Sequence, residues 1–209
     1  METTHDFAFD AGWLCLDFAN TLGDRPVPQP HEEGLHSYRD LVSWGEAAGI
    51  ISGDEATAFV RPAERPPSDA DAAFARAIML REAIYHVFSA VAAGMAPPLD
   101  DLATVNAAIA EAMGHARLAP VGKHFHWDWE RDPSALDRML WPIAWSAAEL
   151  LTAEELHRVH ECAGHNCSWL FLDTSKNGSR RWCSMETCGN RAKARRHRER
   201  QQAIMPGTL

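Results

Sequence analysis

The chain has 209 residues, of which 46% are hydrophobic and 23% charged, with eight Trp. That is ample for a buried core under an ordinary soluble surface, and the length leaves one or two domains open. The net charge of −9 would exclude a simple nucleic-acid binder, since phosphate contacts need excess Lys and Arg, but the charge is segregated. Residues 157–200 hold ten Lys+Arg against four Asp+Glu, a net of +6 that leaves −15 for the rest.

The first ten residues, METTHDFAFD, carry three acidic groups and no Lys or Arg, unlike a secretory signal. The longest apolar runs fall far short of the roughly 20 residues that span a bilayer. The expectation is a cytoplasmic protein without membrane contact, its cysteines reduced.

In chain order, Phe7–Leu22 is nearly continuous apolar sequence and must be largely buried, with Asp17 and Asn20 as polar residues inside it. Such groups must be hydrogen-bonded or meet a ligand. A satisfied core contact is the favoured reading, and a ligand pocket around the two is the alternative. Gly23–Gly34 reads as a long loop. Helix starts are signalled by Ser37 with Asp40, Ser52 with Glu55, and Ser68 with Asp71. The last opens the longest helix, marked by Phe74, Ile78, Val87, Phe88 and Val91. Another helix follows Pro97–Pro98, with Leu102, Val105, Ile109 and Met113 on one face and Gly114 at its end. Lys123–Glu130 alternates as a half-buried strand, Phe125, Trp127 and Trp129 inward and His124, His126, Asp128 and Glu130 outward, with Arg117–Val121 as hairpin partner across Gly122. Asp132–Pro133 is expected to start one more helix, with Leu136, Leu140, Ile143, Ala147 and Leu150 as its stripe. The sum is a mainly α chain with a small β-hairpin: a helical domain over 1–153, then a small treble-clef-like finger over 154–209.

Cys162, Cys167, Cys183 and Cys188 are spaced C-x4-C, fifteen residues, C-x4-C. Two short pairs separated by a loop suit a tetrahedral ion, and four thiolates around Zn²⁺ make a closed, structural site. Disulfides are disfavoured in a reducing compartment, unrelated buried thiols suit the lone Cys15 better than paired ones, and spacing alone leaves an iron–sulfur cluster open. His165, inside the first pair, is an alternative ligand; His157 and His160 read as strand or loop residues.

After Cys188, Arg191, Lys193, Arg195, Arg196, Arg198 and Arg200 sit on a sequence of good helix formers with almost no apolar side chain. A helix polar all round is solvated, paired with acidic groups, or bound to an anionic partner. Arg180 and Arg181 add guanidiniums beside the cysteines, suited to phosphate oxygens or guanine edges. No nucleophile–base pair, phosphate-cradling Gly loop or open metal motif is present, so no enzyme is expected.

The run Cys188-Gly189-Asn190-Arg191, with LFLDTSKNGSRRWC from Leu170 to Cys183, resembles the CGNR zinc finger family. GWLCLDFANTL, Gly12–Leu22, resembles the start of the ABATE domain that usually precedes this finger. The resemblance implies a bacterial, stress-related transcription regulator with a DNA-binding finger and the four cysteines as zinc ligands, and a DNA partner would place it at the nucleoid. It leaves room for a small-molecule effector and a homodimer. The competing reading is a protein-interaction module whose basic finger meets acidic protein surface without DNA.

Overall fold

A computed structural model describes residues 7–27, 33–61, 67–132 and 134–204. Its elements are α1 (Leu14–Ala19), α2 (Tyr38–Ala47), α3 (Gly53–Phe59), α4 (Pro67–Ala92), α5 (Leu99–His115), β1 (Ala116–Val121), β2 (His124–Trp129), α6 (Leu140–Thr152), β3 (Val159–Glu161), β4 (Leu170–Leu172) and α7 (Asn190–Ile204). A 3₁₀ turn, Glu154–Arg158, follows α6, and a π-type turn, Met185–Gly189, leads into α7. The chain is mainly α with a small antiparallel hairpin, as its periodicity predicts.

Two of the expected caps form. The Ser37 hydroxyl accepts from the Asp40 amide while the Asp40 carboxylate accepts from His36 N. Ser52 and Glu55 form a full capping box. The third signal is displaced: α4 starts at Pro67, one residue before Ser68. Proline suits a first turn because its missing amide would have no partner there.

The helix expected from Asp132–Pro133 starts later, at Leu140; Pro133 lies outside the described residues. Residues 134–141 instead close successive turns, with Ala135 N on Asp132 O, Arg138 N on Ala135 O and Leu140 N on Asp137 O. Pro142 explains the delay. Within a longer helix it would remove an interior hydrogen bond, whereas a start at Leu140 puts it in the first turn. Gly114 sits in the last turn of α5, which ends one residue beyond it.

α4 is the central element. Ala73, Ala77, Leu80, Ile84, Val87 and Phe88 are buried at the i, i+4, i+7 spacing of one apolar face. They meet Leu16, Phe18 and Ala19 of α1 and Ile143, Ala144 and Ala147 of α6 in a single core. Among the described residues, Arg81 of α4 is the one buried Lys or Arg. Its guanidinium pairs with both Glu33 oxygens at 2.6 and 2.9 Å and with Glu82 at 2.8 Å, as a buried charge requires.

β1 and β2 pair as the expected antiparallel hairpin, with Leu118 opposite Trp127 and Pro120 opposite Phe125, and Gly122 turns the hairpin at φ +60°. The strand is not half-buried as expected. Phe125 is 71% and Trp127 47% exposed. Only the base is covered, where the Trp127 and Trp129 rings meet Trp145 at 5.3 and 6.5 Å. Alternation assigns side chains to faces, but a two-stranded ribbon that outruns its helical neighbour has no layer over its tip. On the outward face Asp128 pairs with Arg117, while Glu130, just past the strand, meets His115.

β3 and β4 form a second antiparallel pair, and here the chain's two halves join. Because strand side chains alternate, Leu170 enters the helical core while Phe171 lies among the cysteines. The outer edge of β4 is closed by the N-terminal segment: Leu172 N donates to Ala11 O, and the Asn20 amide bonds both Leu170 O and Leu170 N at 2.8 Å. The expected boundary at residue 153/154 therefore falls at the end of α6, but packing and hydrogen bonds cross it.

Candidate metal centre and basic helix

The first cysteine pair lies on a tight loop between β3 and β4. Cys167 N donates to Gly164 O, and Asn166 takes φ +60°, a left-handed conformation that Asn tolerates. A Cβ at Gly164 would stand 2.9 Å from the Cys188 sulfur, so only glycine fits against the thiols. The second pair is set by the loop after β4. Asp173, fully buried, accepts from Ser175 N and Arg180 N at 2.7 and 2.9 Å, turning LDTSKNGSR back toward the first pair. Cys188 then sits in the turn that opens α7.

The four sulfurs of Cys162, Cys167, Cys183 and Cys188 all lie within 4.8 Å of one another. Cys167 to Cys183 is 3.8 Å and Cys183 to Cys188 is 3.7 Å. A tetrahedral ion with about 2.3 Å metal–sulfur bonds requires edges of about 3.8 Å, so the residues fit the group. The Cys162 sulfur accepts from Gly164 N at 3.4 Å and Cys183 N at 3.3 Å, the outer-shell donation that orients a metal thiolate.

Without a cation these thiols cannot all ionise. Hydrogen bonds from Cys167 and Cys183 hold the Cys162 thiol well below its ordinary value. The same hydrogen bonds to Cys162 push Cys167 and Cys183 up. A divalent ion removes that conflict. Four sulfurs close the coordination shell and leave no position for a substrate. His165 is exposed and outside the cluster. Cys15 is fully buried in the helical core, its thiol pushed up to about 12 by burial.

The residues after Cys188 divide the work. A Cβ on Gly189 would meet the Met185 sulfur at 2.9 Å, the Asn190 side chain donates to Glu186 O at 3.0 Å, and Arg191 is exposed. From there α7 runs outward. Arg191, Lys193, Arg195, Arg196, Arg198 and Arg200 are all exposed. Among the described residues only Arg195 of this set has an ion pair, with Glu199 at 3.6 Å. Arg181 is exposed as well, over the Trp182 ring at 5.4 Å.

Arg180 departs from the expected partner contact. Its guanidinium is turned into the finger, donating to the carbonyls of Trp182, Leu172, Asp10 and Cys183 and lying 4.4 Å over the Phe171 ring. With its donors spent on backbone oxygens, Arg180 holds the finger together rather than reading a ligand. Asp17 and Asn20 are also spent internally. Asp17 accepts from Ala11 N at 2.9 Å and Asn20 holds Leu170, so the satisfied-contact reading applies and neither residue lines a described cleft.

Burial pushes the Asp17 carboxyl up to about 6, against the pull of the Ala11 amide. A raised folded-state value means that acidification favours the fold. This contribution is complete below pH ~4 and is lost as the pH rises through ~6. Asp17→Asn keeps an oxygen for Ala11 N and removes the charge. It is expected to raise stability by about 1–2 kcal/mol at pH 8, with the gain vanishing by pH 4 in urea melts; a variant less stable at pH 8 refutes this assignment.

Arg25 and Arg81 carry structural roles that the sequence does not signal. Arg25 stacks 3.9 Å over Tyr85, pairs with Glu82 and donates to Ala19 O, while its amide donates to the buried Ser168 hydroxyl of the finger. An arginine in a Pro- and Gly-rich loop carries no local sign of such a role.

The architecture defines a helical domain-like body fused to a four-cysteine finger with a basic terminal helix. Residues 12–154 match the ABATE family model, described as "Putative stress-induced transcription regulator", and residues 158–201 match the CGNR zinc finger. The chain belongs to the ABATE family and carries a CGNR finger at its C-terminal end. A search among curated proteins finds no match. No helix among the described residues is long and apolar enough to cross a membrane.

Proposed function

We propose that the chain is a DNA-binding transcription regulator. Cys162, Cys167, Cys183 and Cys188 hold one structural Zn²⁺, and α7 with Arg181 meets the phosphate backbone. The observation that carries this reading is α7 itself: six cationic side chains, all of them exposed, around a helix that has no apolar face to bury. Among the described residues its main support is the turn 185–189 rather than the acidic body. The family description supports the regulatory role. A nucleoid location follows from a DNA partner, and the helical body is the part left to take an effector or a second copy. No catalytic role is assigned.

Arg191→Ala, Arg195→Ala and Arg198→Ala combined are expected to weaken binding to duplex DNA and to flatten the dependence of log K on log salt by up to about 2–3 units, about 0.9 for each phosphate no longer neutralised. Fluorescence anisotropy across about 50–200 mM salt reads both. An unchanged slope and affinity overturns the DNA reading and favours a protein partner. Arg180→Ala is the internal control, expected to lower stability rather than to change the slope.

A further inference from the structure

A cleft of about 270 Å³ opens between α4, α5 and α6, on the helical body. Its wall is apolar: Met79 and Leu80 from α4, Ala107 and Ala108 from α5, Leu140 and Trp141 from α6. Met79 is 60% exposed and, with Leu140 and Trp141 beside it, offers apolar surface to a ligand in the cleft. Nothing in the zinc or DNA reading uses this feature.

Three charged groups line it: Arg76, Asp137 and Glu111. Arg76 is committed, its guanidinium donating from Nε at 2.8 Å and approaching from Nη2 at 2.6 Å the same Asp137 oxygen. Glu111 has no ion pair or hydrogen bond among the described residues. The Thr104 hydroxyl donates to Asp100 O, leaving its oxygen as an acceptor. The lining therefore carries a net charge of −1, a free carboxylate, and no uncommitted cation. An anionic ligand would find net repulsion, met only by the remaining N–H groups of Arg76, whose charge Asp137 already balances, and by the covered indole Nε1 of Trp141, whereas a cation with an apolar body finds complementarity in both parts.

We propose that this cleft binds a small lipophilic cation, an aryl- or alkyl-ammonium compound, its apolar part on Met79, Leu80, Leu140 and Trp141 and its ammonium group at Glu111. The site does not depend on whether DNA is the partner, and it is tested without DNA. A matched set of probes, 2-phenylethylammonium, 2-phenylethanol and 3-phenylpropionate, is titrated into the metal-loaded full chain by calorimetry.

The ammonium compound is expected to bind tightest, about tenfold or more above the carboxylate, a difference near 1.4 kcal/mol. Glu111→Gln, a change at an exposed position, is expected to weaken the ammonium about three- to fivefold, the scale of an exposed ion pair, and to leave the alcohol unchanged. Ala107→Trp, also exposed, fills the cleft and is expected to abolish binding of all three. Equal or tighter binding of the carboxylate, no binding by any probe, or retention of binding in Ala107→Trp overturns the proposal.

Discussion

Stripping the metal with a strong chelator is expected to unfold more than the finger. Structural zinc supplies about 10–16 kcal/mol of binding free energy in finger peptides near neutral pH, comparable with the whole stability of an ordinary domain, about 5–15 kcal/mol. Here the loss does not stay local. Val159 and Leu170, on the strands flanking the first cysteine pair, are buried in the helical core. Ser89 of α4 donates to Glu161 at 2.7 Å, and Ser168 holds the Arg25 amide. Once the metal is gone the sulfurs take up protons and nothing draws the four of them together, so the β3–β4 pair opens and withdraws Leu170 from the core.

The measurable result is one zinc per chain by elemental analysis and a melting temperature that falls by about 10 °C or more on chelation, since each kcal/mol shifts a chain of this size by roughly 2–4 °C. Far- and near-ultraviolet dichroism should report one transition with and without metal. A body that melts unchanged after the finger is lost would show that the shared packing carries little energy. A chain purified without metal, and taking up none, would remove the zinc assignment altogether.

How much of this is legible in the sequence depends on how local the determining interaction is. The cysteine pairs, the caps at Ser37 and Ser52 and the hairpin across Gly122 are set by neighbours within a few residues, and all are visible in the order of residues. The family resemblance rests on the same kind of signal, CGNR and the loop before it. Asp173 can be rationalised afterwards by its turn, but its burial is a tertiary fact.

Where structure and expectation part, the cause is mostly non-local. Arg180 reads as a phosphate contact because a bare Arg-Arg pair near a finger gives no hint that Asp10, 170 positions away, supplies a carbonyl for one of them. The hairpin alternates as a covered strand would, yet coverage depends on where α6 ends relative to its tip. The delayed start of α6 has a local sign in Pro142, which competes with the equally local proline at 133. The cleft between α4, α5 and α6 has no sign in the sequence, because each helix contributes ordinary surface residues and only their convergence makes a site.

The second large effect is expected at Asn20, whose side chain does what a third strand would do for β4. An edge strand buried against a core must find partners for its outward amides and carbonyls. Asn20 supplies both for Leu170, one donor and one acceptor at 2.8 Å, from a helix end 150 residues earlier in the chain. Asn20→Ala removes the pair and leaves two buried backbone groups unsatisfied, each costing about 1–3 kcal/mol. The expected loss is therefore about 2–5 kcal/mol, far above the cost of the side chain's own burial and larger than for most single substitutions.

Two readouts separate this mechanism from a general packing defect. Hydrogen exchange at Leu170 should speed up more than at Leu41 or Val42, which share the core but not the bond. The zinc affinity of the variant should fall as well, because the first cysteine pair leads directly into β4 and the strand's positioning helps preform the site. Conversely, an Asn20→Ala chain within about 0.5 kcal/mol of the parent, with Leu170 still protected, would mean that the β3–β4 pair is held by the finger alone. The two halves would then touch without supporting each other, and the chelation result would have to be local too.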